Sequence, residues 1–174
     1  LPIWTFWGQA DSRNVVTLRA RRFDPVKVSY EALTYETTLA ESEGSDTFAD
    51  AGTDHAGRVW VAWQSLRRGQ GDIFARWLDP KSGQWSKEIA VSKPDGGNWE
   101  PRLAFDGKDG AWVAFDSSRG QVLSLNSTNT YTPGPVTVTN LVLKQVSPGE
   151  FNLFLAHVSL NGTVKEQQLT DSPE

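Results

Sequence analysis

An all-β fold of repeated four-stranded antiparallel units is what this sequence predicts, on three observations. The string Val-Trp-Val-Ala-Trp at 59–63 returns as Ala-Trp-Val-Ala-Phe at 111–115, and with drift as Ile-Trp-Thr-Phe-Trp at 3–7. The apolar runs are short, rich in Val, Trp, Phe and Leu, and bounded by Gly, Asp, Asn, Pro or Ser, which is strand chemistry. No longer window carries the 3.6-residue periodicity of an amphipathic helix.

The first strand of the second unit lies at 48–54 and that of the third at 101–106, each closed by a turn acid, Asp54 and Asp106, 52 positions apart. Asp bonds nearby backbone and the Gly that follows accepts positive φ, so both acids suit tight turns and read as structural. The Trp-bearing run is the second strand. Third strands follow at 15–25, 72–80 and 151–158, and closing strands at 27–33, 86–92 and 164–170. Residues 30–43 are the best helical candidate, yet their Thr and Tyr content favours an outer strand and loop.

A repeat of this length, made of four antiparallel strands, points to the blade of a β-propeller. The boundaries are 1–44 for a blade lacking its inner strand, 45–96 for a complete blade, and 97–174 for a blade with an insertion. Propellers close with about 4–8 blades, so about three leave the ring incomplete. The chain opens inside a second strand and stops where a new first strand is due. The preferred reading is a piece of a longer polypeptide, the remainder of the propeller lying outside it. The other is several copies assembling one ring, and a stable closed homo-oligomer would decide for that.

The insertion is visible as broken spacing. Phe74 aligns with Phe154, 80 positions on rather than 52. The added residues fall at 120–149, between second and third strands, and read as a loop followed by an extra strand. Loops there share a face with the fourth-to-first connections, a common place for binding on a rigid scaffold. Asn126 and Asn161 begin Asn-x-Thr triplets, which carry meaning only in a glycosylating host.

Composition narrows the function classes. There is no Cys and no Met, and the net charge of −4 argues against a general affinity for nucleic acid. No apolar run is long enough for a membrane-spanning helix. The two histidines, His55 and His157, have no ligand-spaced companions, so no metal is expected. No cofactor is expected either, because no phosphate loop, dinucleotide fingerprint or nucleophile elbow occurs. Of eight Trp, Trp60, Trp63, Trp77, Trp85 and Trp112 occupy strand positions and are expected to pack between blades. Trp99 sits in a fourth-to-first connection without an aromatic counterpart and is a ligand-facing candidate.

Two residue classes offer chemistry. Arg13, Arg67 and Arg119 recur in the second-to-third connection. Converging, they would clamp a carboxylate. Repeated at one position, they more simply make one local contact each, for example Arg67 with Asp72. Among the inner-strand acids Asp46, Asp50 and Glu100, the glycosidase candidates are Asp50 and Glu100, since two carboxyls must flank a glycosidic bond. Asp50 stands out because Leu103 or Ala104 takes its place in the next unit. The expected ligand face comprises Gln64, Arg67, Arg68, Trp99, Glu100, Asp116, Arg119 and the insertion.

The strings Gly-Arg-Val-Trp-Val-Ala-Trp-Gln-Ser at 57–65 and Gly-Asp-Ile-Phe-Ala-Arg at 71–76 resemble blades of bacterial extracytoplasmic propellers, TolB-like and sialidase-like. The sialidase Asp-box, Ser-x-Asp-x-Gly-x-Thr-Trp, is absent. The resemblance implies a periplasmic or secreted binding or scaffold module, or such a module within a multidomain hydrolase, with a carbohydrate or small-molecule ligand. A propeller glycoside hydrolase or sialidase-like enzyme is the alternative. A self-assembling lectin-like propeller is the third, and exposed aromatics at repeated loop positions would favour it.

Overall fold

The computed structural model describes residues 3–23, 36–40, 42–119 and 151–171. Every regular element among them is a strand: β1 (Ile3–Ala10), β2 (Val16–Phe23), β3 (Glu36–Ala40), β4 (Asp46–Thr53), β5 (Val59–Ser65), β6 (Asp72–Leu78), β7 (Ile89–Ala90), β8 (Asn98–Ala104), β9 (Ala111–Ser117), β10 (Asn152–Val158) and β11 (Val164–Gln168). They form three antiparallel sheets, ordered β1-β2-β3, β4-β5-β6-β7 and β8-β9-β10-β11. The recurring Trp strings are β1, β5 and β9. The first sheet has three described strands where the others have four. Among the described residues no helix is long and apolar enough to cross a membrane.

The sheets stack through the two faces that each strand's alternation creates. On one side of the middle sheet, Val61, Trp63 and Phe74 pack on Leu18, Ala20 and Leu39 of the first sheet, with Trp4 and Phe6 at the margin. On the other, Trp60, Ala62, Ile73 and Ala75 pack on Ala111, Val113, Phe115, Phe154, Ala156 and Val158 of the third. The middle sheet is covered on both faces, so β5 and β6 read as near-continuous apolar runs. Trp60 and Trp63 lie in these contacts, and Trp77 and Trp85 pack at their edges.

Several boundaries move. The described closing strand of the first sheet is β3 at Glu36–Ala40, paired with β2 in the region expected as outer strand and loop. The run at 27–33 and the insertion at 120–149 lie outside the described residues. β7 is two residues long within the expected 86–92. Serine hydroxyls replace ladder carbonyls beside it: Ser86 Oγ accepts the Trp77 amide at 3.1 Å and Ser92 Oγ the Ile73 amide at 2.9 Å.

Both inner strands carry a bulge at the same place. Pairing of β4 with β5 shifts between Thr47 and Asp50, and pairing of β8 with β9 between Trp99 and Arg102. The bulged residues Phe48 and Glu100 have φ of 48° and 50°, in the left-handed region. Because Asp50 pairs with Ala62 and Arg102 with Ala114, the counterpart of Asp50 is Arg102, not Leu103 or Ala104. Both units contain the extra residue, so the 52-position spacing runs unbroken through the inner strand.

Candidate functional site

The two ends of the sheets differ in what holds them. One end consists of tight turns. Asp54 Oδ2 accepts Trp60 Nε1 at 2.9 Å and Arg58 Nε at 2.6 Å, while Oδ1 accepts the amides of Ala56 and Arg58. Asp106 repeats the pattern with Trp112 Nε1 at 3.0 Å and the Lys108 amide at 2.9 Å. Burial raises the Asp54 carboxyl, but the bonds from Arg58 and Trp60 outweigh it and hold the group below the usual carboxylate range. The Trp112 indole, then the Lys108 amide, do the same for Asp106. These acids fasten their own turns to the strand that follows.

The other end carries the longer connections and the bulges. Arg67 lies 4.0 Å over the Phe74 ring and donates to both oxygens of Glu88. Arg119 lies 4.0 Å over Phe154 and donates to Glu166 at 2.6 and 2.9 Å. One local contact is therefore made twice. Its acid is Glu88 or Glu166 on the outer edge, not Asp72, which Arg68 occupies at 2.7 Å. Burial lowers the Arg67 pKa, and Glu88 more than restores it. Arg13 pairs locally with Asp11 at 2.9 Å. Arg13 and Arg67 are satisfied within their own units, and Arg119 bridges Glu166 of its own unit and Asp95 of the preceding one at 2.8 Å, so the three are not turned toward a common point.

The inner strands hold the remaining candidates. Asp46 is fully buried, accepting Trp63 Nε1 at 3.1 Å and the Ser42 hydroxyl at 3.1 Å. Asn98 takes the same place in β8 opposite Phe115, which has no N–H to offer. Its amide instead donates to the carbonyls of Gly71, Lys93 and Gly96. Asp50 Oδ1 accepts its neighbour's amide, and Oδ2 accepts the Leu103 amide across the sheets at 2.8 Å. Gln64, buried, accepts the amide of the bulged Glu100 at 3.4 Å. The Glu100 side chain is exposed, with Arg102 at 4.0 Å. Trp99 is the second residue of β8 rather than part of a connection. It pairs in register with Asp116, and its ring meets Phe151 edge-on at 5.2 Å. The structure thus joins Gln64 to Glu100 and Trp99 to Asp116. Asp50 is turned toward the third sheet's backbone. Among the described residues no three His, Asp or Glu side chains gather as metal ligands.

A cavity of about 310 Å³ lies between the first and middle sheets at this end. Phe6, Gly8 and Leu18 wall one side, and Asp46, Thr47 and Phe48 the other. Phe48, in its left-handed bulge, is 58 % exposed at the site. The sequence holds the signal for it, although inspection for charged groups passes it by. In the next sheet, Gln64 fills the space beneath the Glu100 bulge; in the first sheet the corresponding residue is Gly8, with no side chain. Two positions therefore depart from the repeat together, Gly8 for Gln64 and Phe48 for Glu100. Neither a family model nor a curated protein matches this chain.

Proposed function

We propose that the chain is a segment of a β-propeller acting as an extracytoplasmic binding module, with a small ring-shaped ligand, a carbohydrate unit, held in the cavity under Phe48. The observation that carries the reading is the paired departure at Gly8 and Phe48. Together they leave this junction without the side chain that Gln64 supplies at the next one, with Val16 against Gly8 as part of the cavity wall. The cavity lies at the lower end of the usual ligand-site range of about 300–1,000 Å³, room for one sugar ring. Phe6 and Phe48 offer flat apolar faces for the C–H side of such a ring, and the Thr47 hydroxyl offers a polar partner. The three sheets of 3–4 antiparallel strands support the propeller architecture, and the blade strings at 57–65 and 71–76 support the extracytoplasmic setting.

The glycosidase alternative draws little from the geometry. Asp50 is engaged by two backbone amides, and the conformation of Glu100 is shared with Phe48, so it belongs to the repeat rather than to a reaction. Saturation-transfer NMR with a panel of mono- and disaccharides tests the binding reading. Wild-type chain is expected to show transfer to at least one sugar, and Phe48→Glu, which copies Glu100 at the same backbone conformation and removes the aromatic wall, is expected to abolish it with the circular dichroism spectrum unchanged. No transfer to any sugar, or transfer untouched by Phe48→Glu, would remove the proposal.

A further inference from the structure

The middle sheet supplies donors to two buried oxygens that the third sheet repeats without them. Asp46 and Ser65 face each other across β4 and β5. Asp46 Oδ1 accepts Trp63 Nε1 at 3.1 Å and lies 3.5 Å from Arg67 Nη2, while Ser65 Oγ accepts Arg67 Nε at 2.8 Å. One guanidinium reaches both oxygens, so they stand close enough for a single group to serve the two. The other carboxylate oxygen, Oδ2, faces the loop ahead of β4, where it accepts the Ser42 hydroxyl.

In the third sheet the same places hold Asn98 and Ser117, paired across β8 and β9 and both fully buried. Asn98 Nδ2 lies among the carbonyls of Gly71, Lys93 and Gly96, at 3.3, 3.2 and 3.0 Å, on the side of the loop ahead of β8. Three acceptors fix that end of the amide as its nitrogen, because an oxygen there would meet only oxygens. Oδ1 is left on the side where Asp46 Oδ1 meets the indole. Here Phe115 replaces Trp63 and has no N–H, and Arg119, which replaces Arg67, is turned to Asp95 and Glu166. Asn98 Oδ1 and Ser117 Oγ are buried with no hydrogen-bond partner among the described residues. Internal water satisfies such groups where there is room and at least two polar partners. A phenyl lacks the pyrrole portion of an indole, so the exchange of Trp for Phe removes the donor and the atoms that carry it at one and the same place.

We propose that the third sheet binds one internal water molecule between Asn98 and Ser117, at the place that the Trp63 N–H has in the middle sheet. The water donates to Asn98 Oδ1 and shares a second hydrogen bond with the Ser117 hydroxyl. The ligand is water rather than a metal cation, because the two side chains are neutral and bring no carboxylate. The site lies just ahead of the Glu100 bulge, so β8 is tied to β9 by an exchangeable molecule where β4 is tied to β5 by an indole. It is separate from the cavity under Phe48, which lies at the other sheet junction.

NMR of the folded chain tests this. Water-selective NOE spectra are expected to show a water held long enough to give cross-peaks to the Phe115 ring and the Ser117 amide. Phe115→Trp restores the middle sheet's indole, whose Nε1–H then donates to Asn98 Oδ1. It is expected to abolish those cross-peaks, keep the circular dichroism, and leave the urea midpoint unchanged or higher. Ser117→Ala removes one of the water's two partners, so the cross-peaks to the Phe115 ring are expected to weaken severalfold in a folded chain. A wild type without the water signal overturns the proposal, and so does a signal untouched by Ser117→Ala. A lowered midpoint in Phe115→Trp, as an overpacked core gives, also overturns it, because protein atoms would then already fill the indole's place. A signal that requires sodium or potassium in the buffer would mean a cation instead and overturns it as well.

Discussion

At the scale of single residues, buried polar atoms come in matched sets that change together between units. Asp46 with Trp63 becomes Asn98 with Phe115: where the indole N–H disappears, so does the carboxylate that accepts it. A buried acceptor stripped of its donor costs the desolvation of that group, whereas removing both partners is far milder. Trp63→Phe alone is therefore expected to cost more than the lost ring atoms, and Asp46→Asn alone to weaken the bond from Ser42 and the ion pair that Asp46 makes with Arg67 at 3.5 Å. The double variant is expected to recover about 1 kcal/mol relative to the sum of the singles, measured by urea unfolding. Additive costs would show that the pair is not coupled. The sequence displayed the Trp/Phe exchange openly. It did not display the partner, because Asp46 lies 17 positions away from Trp63 and only the sheet brings them together.

At the scale of elements, loops are fixed by backbone proximity as much as by side chains. A Cβ on Gly44 would collide with the Leu66–Arg67 backbone, and one on Gly96 would lie 2.7 Å from Arg119 Cα. The two glycines stand at equivalent positions, just ahead of β4 and β8. Gly44→Ala and Gly96→Ala are each expected to destabilise by about 2–3 kcal/mol, since backbone cannot yield as a flexible side chain does. Gly83→Ala, at φ 67° with open space around it, is expected to cost about 1 kcal/mol from its conformation alone. Equal losses at all three sites in thermal unfolding would contradict the distinction. Strand existence was legible from the Val, Trp and Phe runs. The ends of β7 were not, because Ser86 and Ser92 satisfy the ladder with hydroxyls, and a serine in sequence looks the same whether it bounds a strand or completes it.

At the scale of the whole molecule, identical residues sit in unequal surroundings. Trp60 and Trp112 bond equivalent acids and occupy equivalent strand positions, yet Trp60 is fully buried between two sheets and Trp112 is half-buried on an open face. Trp60→Ala is expected to cost about 4 kcal/mol and Trp112→Ala about half as much, measured by urea unfolding. Matching losses would contradict the difference in their burial. The repeat made the sheet count and strand order legible from sequence. Which faces are covered was not, because equivalent strings such as 59–63 and 111–115 carry nearly the same residues whatever lies across from them. The cavity was hidden for the opposite reason: its signature is a missing side chain at Gly8.

Asn98 has one more consequence. Its backbone amide and its side chain both reach the Gly71 carbonyl, in the connection that precedes β6 of the middle sheet. Those acceptors leave the ribosome before Asn98 does. The third sheet's inner strand thus finds its anchoring point already synthesised, and the chain is suited to assemble in the order in which it is made, each sheet serving as template for the one after it. Chains arrested on the ribosome once residue 92 has emerged are then expected to show the amides of β5 and β6 already protected from hydrogen exchange.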